Sequence, residues 1–214
     1  MGAVIEDQVM NGRRELLALS FHPGEVGRPA VIVSHGMESH RQGKVADIAH
    51  ALQARGIHAL RLDHGGCGDS EGKHEPISVK RRVMDLDAAL AWLAAKVAPG
   101  GAVGLCGSSM GAAVSLVAAA RHGAPAWAGI ATPVSFWPEV REAAESYAGQ
   151  ALVIWGTDDE VVPPEDSAWL LEHGGARAQA LVYDGGDHRL KAHVPEIAER
   201  IADFMDRALS GGMG

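Results

Sequence analysis

Gly107-Ser108-Ser109-Met110-Gly111 decides how the rest of the chain is read. The apolar run Ala102 to Cys106 precedes it and the alanine-rich run Met110 to His122 follows it, so the pentapeptide is a turn from a buried strand into a helix. Glycine two positions to either side of Ser109 removes side chains that would collide as strand and helix close on each other. Ser108 lacks that bracket, because position 106 is cysteine. Ser109 is therefore expected at the tip of a strained turn, its Oγ clear of the sheet and the helix N-terminus beneath it.

The same alternation extends in both directions. Leu16–Phe21, Ala30–Ser34, Ile57–Leu62, Ala126–Ala131, Ala151–Trp155 and Ala178–Tyr183 read as further strands. Between them, helical spacing predicts helices from about Arg41 to Ala54 and from about Ser78 to Val97, the latter stopped by Pro99-Gly100-Gly101. Pro138–Ala148, Pro164–His173 and Pro195–Leu209 supply three more, the last with Ile197, Ile201, Phe204 and Ala208 facing inward. Strands joined by crossover helices give an α/β fold: a mostly parallel central sheet with helices on both faces. No repeat or linker splits the chain, which reads as one domain over 1–214 with a frayed tail from 210. Ligands of such sheets bind beyond the carboxyl ends of the strands, which selects the loops after Ser34, Leu62, Cys106, Trp155 and Tyr183.

Composition excludes several classes. The 214 residues carry 27 Asp and Glu against 19 Lys and Arg, a net charge of −8 that repels nucleic acid. The densest basic run, Lys80-Arg81-Arg82, reads as a solvated helix start. With 47% hydrophobic and 21% charged residues the chain is not disordered. No apolar run approaches the roughly 18 residues of a membrane span. The start, Met1 to Asp7, lacks the basic and apolar regions of a secretory signal, so a cytoplasmic location is expected. Cys67 and Cys106 are too few for a disulfide framework and lack metal-site spacing. Cys67 sits in a glycine loop where it is expected to be exposed, with no basic neighbour to activate it, whereas Cys106 ends a buried strand.

A serine hydroxyl is a weak nucleophile, so Ser109 requires a base and a group that orients the base. His188, in the loop after the last strand, is the best-placed base. The acidic turn after the preceding strand, Gly156-Thr157-Asp158-Asp159-Glu160, offers the acid, in the chain order Ser, Asp, His. Oxyanion donors are available from the Met110 N–H at the helix start and from Met37 in the loop Ser34-His35-Gly36-Met37. His35 itself is expected to hold neighbouring loops by hydrogen bonds. A metal site built from His35, His40, His64 and His74 matches no ligand spacing; no metal and no cofactor is expected.

These motifs together resemble the α/β-hydrolase family, over nearly the whole chain from Leu16 to Leu209. They run in the family's order: His35-Gly36, then Asp63-x-x-Gly66-x-Gly68-x-Ser70, the elbow at Ser109, and the acid and histidine loops. The resemblance implies Ser109 as nucleophile, Asp159 as acid, His188 as base and Met37 and Met110 as oxyanion donors. Asp159 is preferred because the family places its acid three residues after the strand-end glycine, here Gly156; Asp158 is the alternative. Many relatives insert a lid of several dozen residues after the strand that follows the nucleophile helix. Here Ala131 to Gln150 holds only a short loop and one helix. An open site follows, with Phe136 and Trp137 either lining one wall or anchoring that helix to the core. The expected activity is hydrolysis of small carboxylic esters through an acyl-enzyme. Acyl thioesters are the alternative substrates, and a non-catalytic binding protein of the same fold a third reading. The partner is a small molecule rather than nucleic acid or membrane, and the oligomeric state is open.

Overall fold

The computed structural model describes residues 2–73, 78–96, 102–173 and 177–210. His74, the Pro99-Gly100-Gly101 stop and the tail beyond 210 lie outside the described residues. Among the described residues eight strands form one sheet: β1 Ile5–Met10, β2 Leu16–His22, β3 Ala30–Ser34, β4 His58–Leu62, β5 Val103–Ser108, β6 Ala126–Ile130, β7 Gln150–Gly156 and β8 Ala178–Tyr183. Their spatial order is β1-β2-β4-β3-β5-β6-β7-β8. β4, β3, β5, β6, β7 and β8 pair in parallel, while β1–β2 and β2–β4 are antiparallel. The helices are α1 Lys44–Ala54, α2 Val79–Lys96, α3 Met110–His122, α4 Pro138–Ser146, α5 Pro164–His173 and α6 Val194–Ser210.

Each central strand is buried on both faces, and its side chains alternate between two cores. Ile32 and Leu105 join the cluster that packs with Leu86, Leu93, Leu116 and Trp127 beneath α2, α3 and α4. Val31, Val33 and Cys106 join the other, with Ile48, Leu52, Ile197, Ile201 and Phe204 of α1 and α6. After β3 the chain moves to one side, through α1 and β4, and α2 then carries it back across to β5 on the other side. The chain thus reverses its direction along the sheet between β3 and β5, the position at whose carboxyl edge sheets of this kind bind their ligands. Between β6 and β7 lie a 3-10 turn, Val134–Phe136, and α4, with no substantial lid.

Four sequence expectations require correction. The first strand, β1, went unread because its side chains are mostly exposed and charged in the middle, as an edge strand's are. Helix α1 begins at Lys44 rather than near Arg41, because Arg41 turns aside: its amide and guanidinium both bond to the buried carboxylate of Asp63. Gly43, at φ 64°, then redirects the chain into the helix. The run Lys80-Arg81-Arg82 is not wholly a solvated face, since Arg82 is buried with its Nη2 3.6 Å from Cys67 Sγ. Cys67 is accordingly neither exposed nor without a basic neighbour; burial nevertheless pushes its thiol pKa up, which leaves it protonated at neutral pH. Cys106 is buried as expected, its pKa pushed up to about 12.

Burial of histidines gives the fold a pH dependence. Desolvation holds His22 down to about 4, and lowers His35, His58 and His64 as well. As the pH falls through about 6.5, the unfolded chain takes up protons at these positions that the native state refuses. Stability is therefore full above 6.5 and declines on acidification. Thermal unfolding is expected to show Tm falling steadily from pH 7 to pH 5; a constant Tm over that range would contradict the buried, neutral state of these side chains.

Candidate active site

Ser109 stands at the junction of β5 and α3 with φ 54° and ψ −125°, a left-handed conformation costly for any residue with a side chain. Its amide donates to Ile130 O at 2.7 Å, so the end of the neighbouring strand fixes the turn. The bracketing glycines are required by contact. A Cβ on Gly107 would lie 2.3 Å from the Gly111 backbone, and one on Gly111 would lie 2.3 Å from Ser34 O and 2.4 Å from His35 O. The elbow and the loop after β3 are thus pressed backbone to backbone.

His188 and Asp159 are brought together from different strand ends. His188 Nδ1 lies 2.8 Å from Asp159 Oδ2, and the carboxylate is almost completely buried. Asp159 Oδ1 accepts the Val161 and Val162 amides, each at 2.9 Å, so the acid is fixed before it holds the ring. Because a carboxylate can only accept, Nδ1 carries the proton and Nε2 presents a lone pair. Asp158 is turned away and accepts from the Thr157 hydroxyl. The acid and histidine loops are stitched together, Asp158 N to Gly186 O at 3.0 Å and Thr157 N to Tyr183 O at 3.0 Å. Ser109 Oγ and His188 Nε2 make no hydrogen bond among the described residues, and such contacts commonly tighten only when substrate is bound.

The Met37 and Met110 amides engage no acceptor among the described residues. Met110 N is the first N–H of α3, where the helix field favours an anion. His35 is buried and bonded to Gly36 O within its own loop and to the His64 amide in the loop after β4, in keeping with its expected structural part. Of the two aromatic candidates, Phe136 is 49% exposed, whereas Trp137 packs partly buried against the core beneath α3 and α4. Met37 and Val161 are exposed apolar side chains on the loops after β3 and β7.

Sequence reasoning missed three residues. Val161 follows the acid turn, and only the structure shows it exposed. Lys44 Nζ lies 3.4 Å from Ser108 Oγ; burial lowers its pKa, while Asp187 and Asp159 oppose that. Asp85, on α2, is buried against His64; a carboxylate at the helical spacing of buried Arg82, Leu86 and Ala89 was the available signal. Of the imagined metal cluster, His35 and His64 are engaged in hydrogen bonds and His74 lies outside the described residues. Among the described residues no group of three or more His, Cys, Asp or Glu side chains is placed to hold a metal ion. No helix among them is long and apolar enough to cross a membrane.

Several solved structures share this architecture. XC6422 from Xanthomonas campestris, described as an α/β serine hydrolase without lid, is 24% identical with a TM-score of 0.83, over 98% of this chain and 96% of its own. An α/β serine hydrolase homologue from Coxiella burnetii is 22% identical with a TM-score of 0.82, over 95% and 98%. Est1E from Butyrivibrio proteoclasticus, solved with ferulic acid bound, is 19% identical with a TM-score of 0.83, over 95% and 100%. No protein of curated function matches the chain by sequence. The family model described as "Serine aminopeptidase, S33" matches residues 27–137, which contain the loop after β3, the Gly66–Ser70 motif and the serine elbow. With more than half of its length inside that match and the hydrolase sheet around it, the chain belongs to this family of α/β hydrolases.

Proposed function

We propose that the protein is a serine hydrolase acting on small carboxylic esters through an acyl-enzyme. The observation that carries this reading is the His188–Asp159 hydrogen bond at 2.8 Å, in a fold that also holds Ser109 at positive φ between β5 and α3. His188 Nε2 takes the Ser109 proton as Oγ attacks the acyl carbonyl; Asp159 keeps the imidazole in the required tautomer and stabilises its charged form. The oxyanion is received by the Met37 and Met110 amides, each typically worth about a hundredfold to a thousandfold in rate. The alcohol leaves with the proton from His188. Water activated by the same ring then attacks the acyl carbon and frees the acid and Ser109.

The exposed Met37, Phe136 and Val161 offer apolar surface to an acyl or aryl group without enclosing it. An unenclosed site gains little from a long chain, so aryl esters of short acids are the expected substrates. The testing experiment is a panel of aryl esters of increasing acyl length, with acyl thioesters and aminoacyl anilides alongside, and a separate sample of the same protein labelled with a fluorophosphonate. Labelling at Ser109 and fastest turnover of the short esters is the expected result. Faster turnover of long-chain esters contradicts the open-site argument. Preference for thioesters moves the assignment to the thioesterase alternative, and turnover of anilides alone would overturn the ester reading.

A further inference from the structure

Beneath the oxyanion loop lies a second Ser, His and Asp constellation that no substrate can reach. Ser34 Oγ is 2.7 Å from His64 Nε2, and His64 Nδ1 is 3.2 Å from Asp85 Oδ2. Ser34 and His64 are 0% exposed and Asp85 is 1% exposed, which excludes chemistry there. Asp85 is itself anchored: its Oδ1 accepts from Asn11 Nδ2 at 2.8 Å and its Oδ2 from the Gly65 amide at 3.0 Å. Burial opposes ionisation of Asp85, but its bonds from His64, Gly65 and Asn11 outweigh that and keep its pKa below the ordinary carboxylate value.

The proton positions in this network follow from its partners. Asp85 can only accept, so His64 Nδ1 donates and His64 Nε2 accepts from the Ser34 hydroxyl. The His64 backbone N–H points at His35 Nε2, 3.1 Å away, so that nitrogen must be an acceptor. The proton of His35 then resides on Nδ1 and is donated to Gly36 O at 2.7 Å. Gly36 O belongs to the same planar peptide unit as the Met37 N–H, and that peptide is trans, no peptide bond among the described residues being cis. Fixing the carbonyl on one side of a trans peptide aims the amide hydrogen to the opposite side. From the other direction, Ser34 O and His35 O press on Gly111, so the loop has no room to slide.

We infer that Asp85 and His64 are positioning residues that aim the Met37 amide through His35, a relay separate from the one that orients His188. The inference rests on the reading of Met37 as an oxyanion donor. Asp85→Asn and Ser34→Ala each disturb one joint: the first sets an amide N–H₂ against Asn11 or Gly65, and the second removes the hydroxyl at His64 Nε2. With active sites counted by fluorophosphonate titration, kcat per site for a short aryl ester is expected to fall about 10- to 100-fold in Asp85→Asn and several-fold in Ser34→Ala. KM should change little, and affinity for an alkylboronic acid, whose tetrahedral adduct fills the donor position, should fall in parallel with kcat. A merely structural role lowers the titratable fraction and Tm but leaves kcat per site unchanged, and that outcome overturns the inference. Should Asp85→Asn fail to fold, the unmodified protein still decides: ¹H–¹⁵N correlation must find both His35 and His64 protonated on Nδ1, and either ring protonated on Nε2 alone reverses the relay and refutes it. An unmodified protein that resists fluorophosphonate and hydrolyses no ester indicts the serine-hydrolase reading itself; unchanged variants of an active, labelled enzyme indict only this inference.

Discussion

Ser109→Ala is expected to reduce kcat for a short aryl ester by about 10⁴-fold or more, since triad groups act as a unit and the loss of one removes most of the acceleration. Its stability should be unchanged, because alanine keeps the Cβ that makes φ 54° unfavourable. Ser109→Gly sharpens the comparison. It loses the same activity but accepts a positive φ freely, so it should be about 1 kcal/mol more stable than the parent. That corresponds to a Tm increase of about 2–4 °C for a chain of this size. Activity above about 1% of the parent in Ser109→Ala, in protein free of contaminating esterase, sinks the proposed mechanism. A Ser109→Gly protein less stable than Ser109→Ala shows that the elbow is not strained.

Gly111→Ala is expected to be strongly destabilising for a single-methyl change. The added Cβ would lie 2.3 Å from Ser34 O and 2.4 Å from His35 O, both backbone atoms that cannot rotate away. Relief requires separating α3 from β3, which carries the oxyanion loop, at a cost of about 3 kcal/mol or more. Gly123→Ala supplies the control: Gly123 caps α3 at φ 64°, and a Cβ there meets nothing within 4 Å. Its cost is conformational alone, about 1 kcal/mol. Thermal or denaturant unfolding should rank Gly111→Ala well below Gly123→Ala. Equal losses would mean that the close approach of elbow and loop is not what demands glycine.

The sequence is explicit where two local signals agree. At Ser109 the glycine bracket coincides with the change from strand to helix, and α3 occupies the expected residues, Met110 to His122. The parallel strands are legible because burial on both faces leaves uninterrupted apolar runs, as in Ala30–Ser34. β1 escapes that reading: an edge strand has no such run, and its antiparallel pairing with β2 depends on backbone bonds to a strand identified independently. Among the site residues, Asp159 and His188 are marked by their place after strand ends. The preference for Asp159 over Asp158 is what the family resemblance implies; in the fold it is Asp159 that lies 2.8 Å from His188. Asp85 and His64 were not legible as a pair, because they sit on separate elements and meet only when α2 folds onto the loop after β4. The burial of Arg82 is hidden for the same reason, since a charged residue next to Lys80 and Arg81 gives no sign by itself that its side chain turns inward.

The two cores on opposite faces of the sheet have a consequence for how the enzyme fails. The elbow rides on a helix rooted in one of them, and the histidine loop leads into a helix rooted in the other. Ser109 and His188, the proposed nucleophile and base, are thus like the two halves of a hinge screwed to different walls, with the strands between them as a common frame. Softening either wall, by heat or by a mutation far from the site, pulls the halves out of alignment while the remainder of the molecule still looks native. Loss of turnover therefore serves as an early alarm for damage on both sides of the protein, ahead of any gross change in shape.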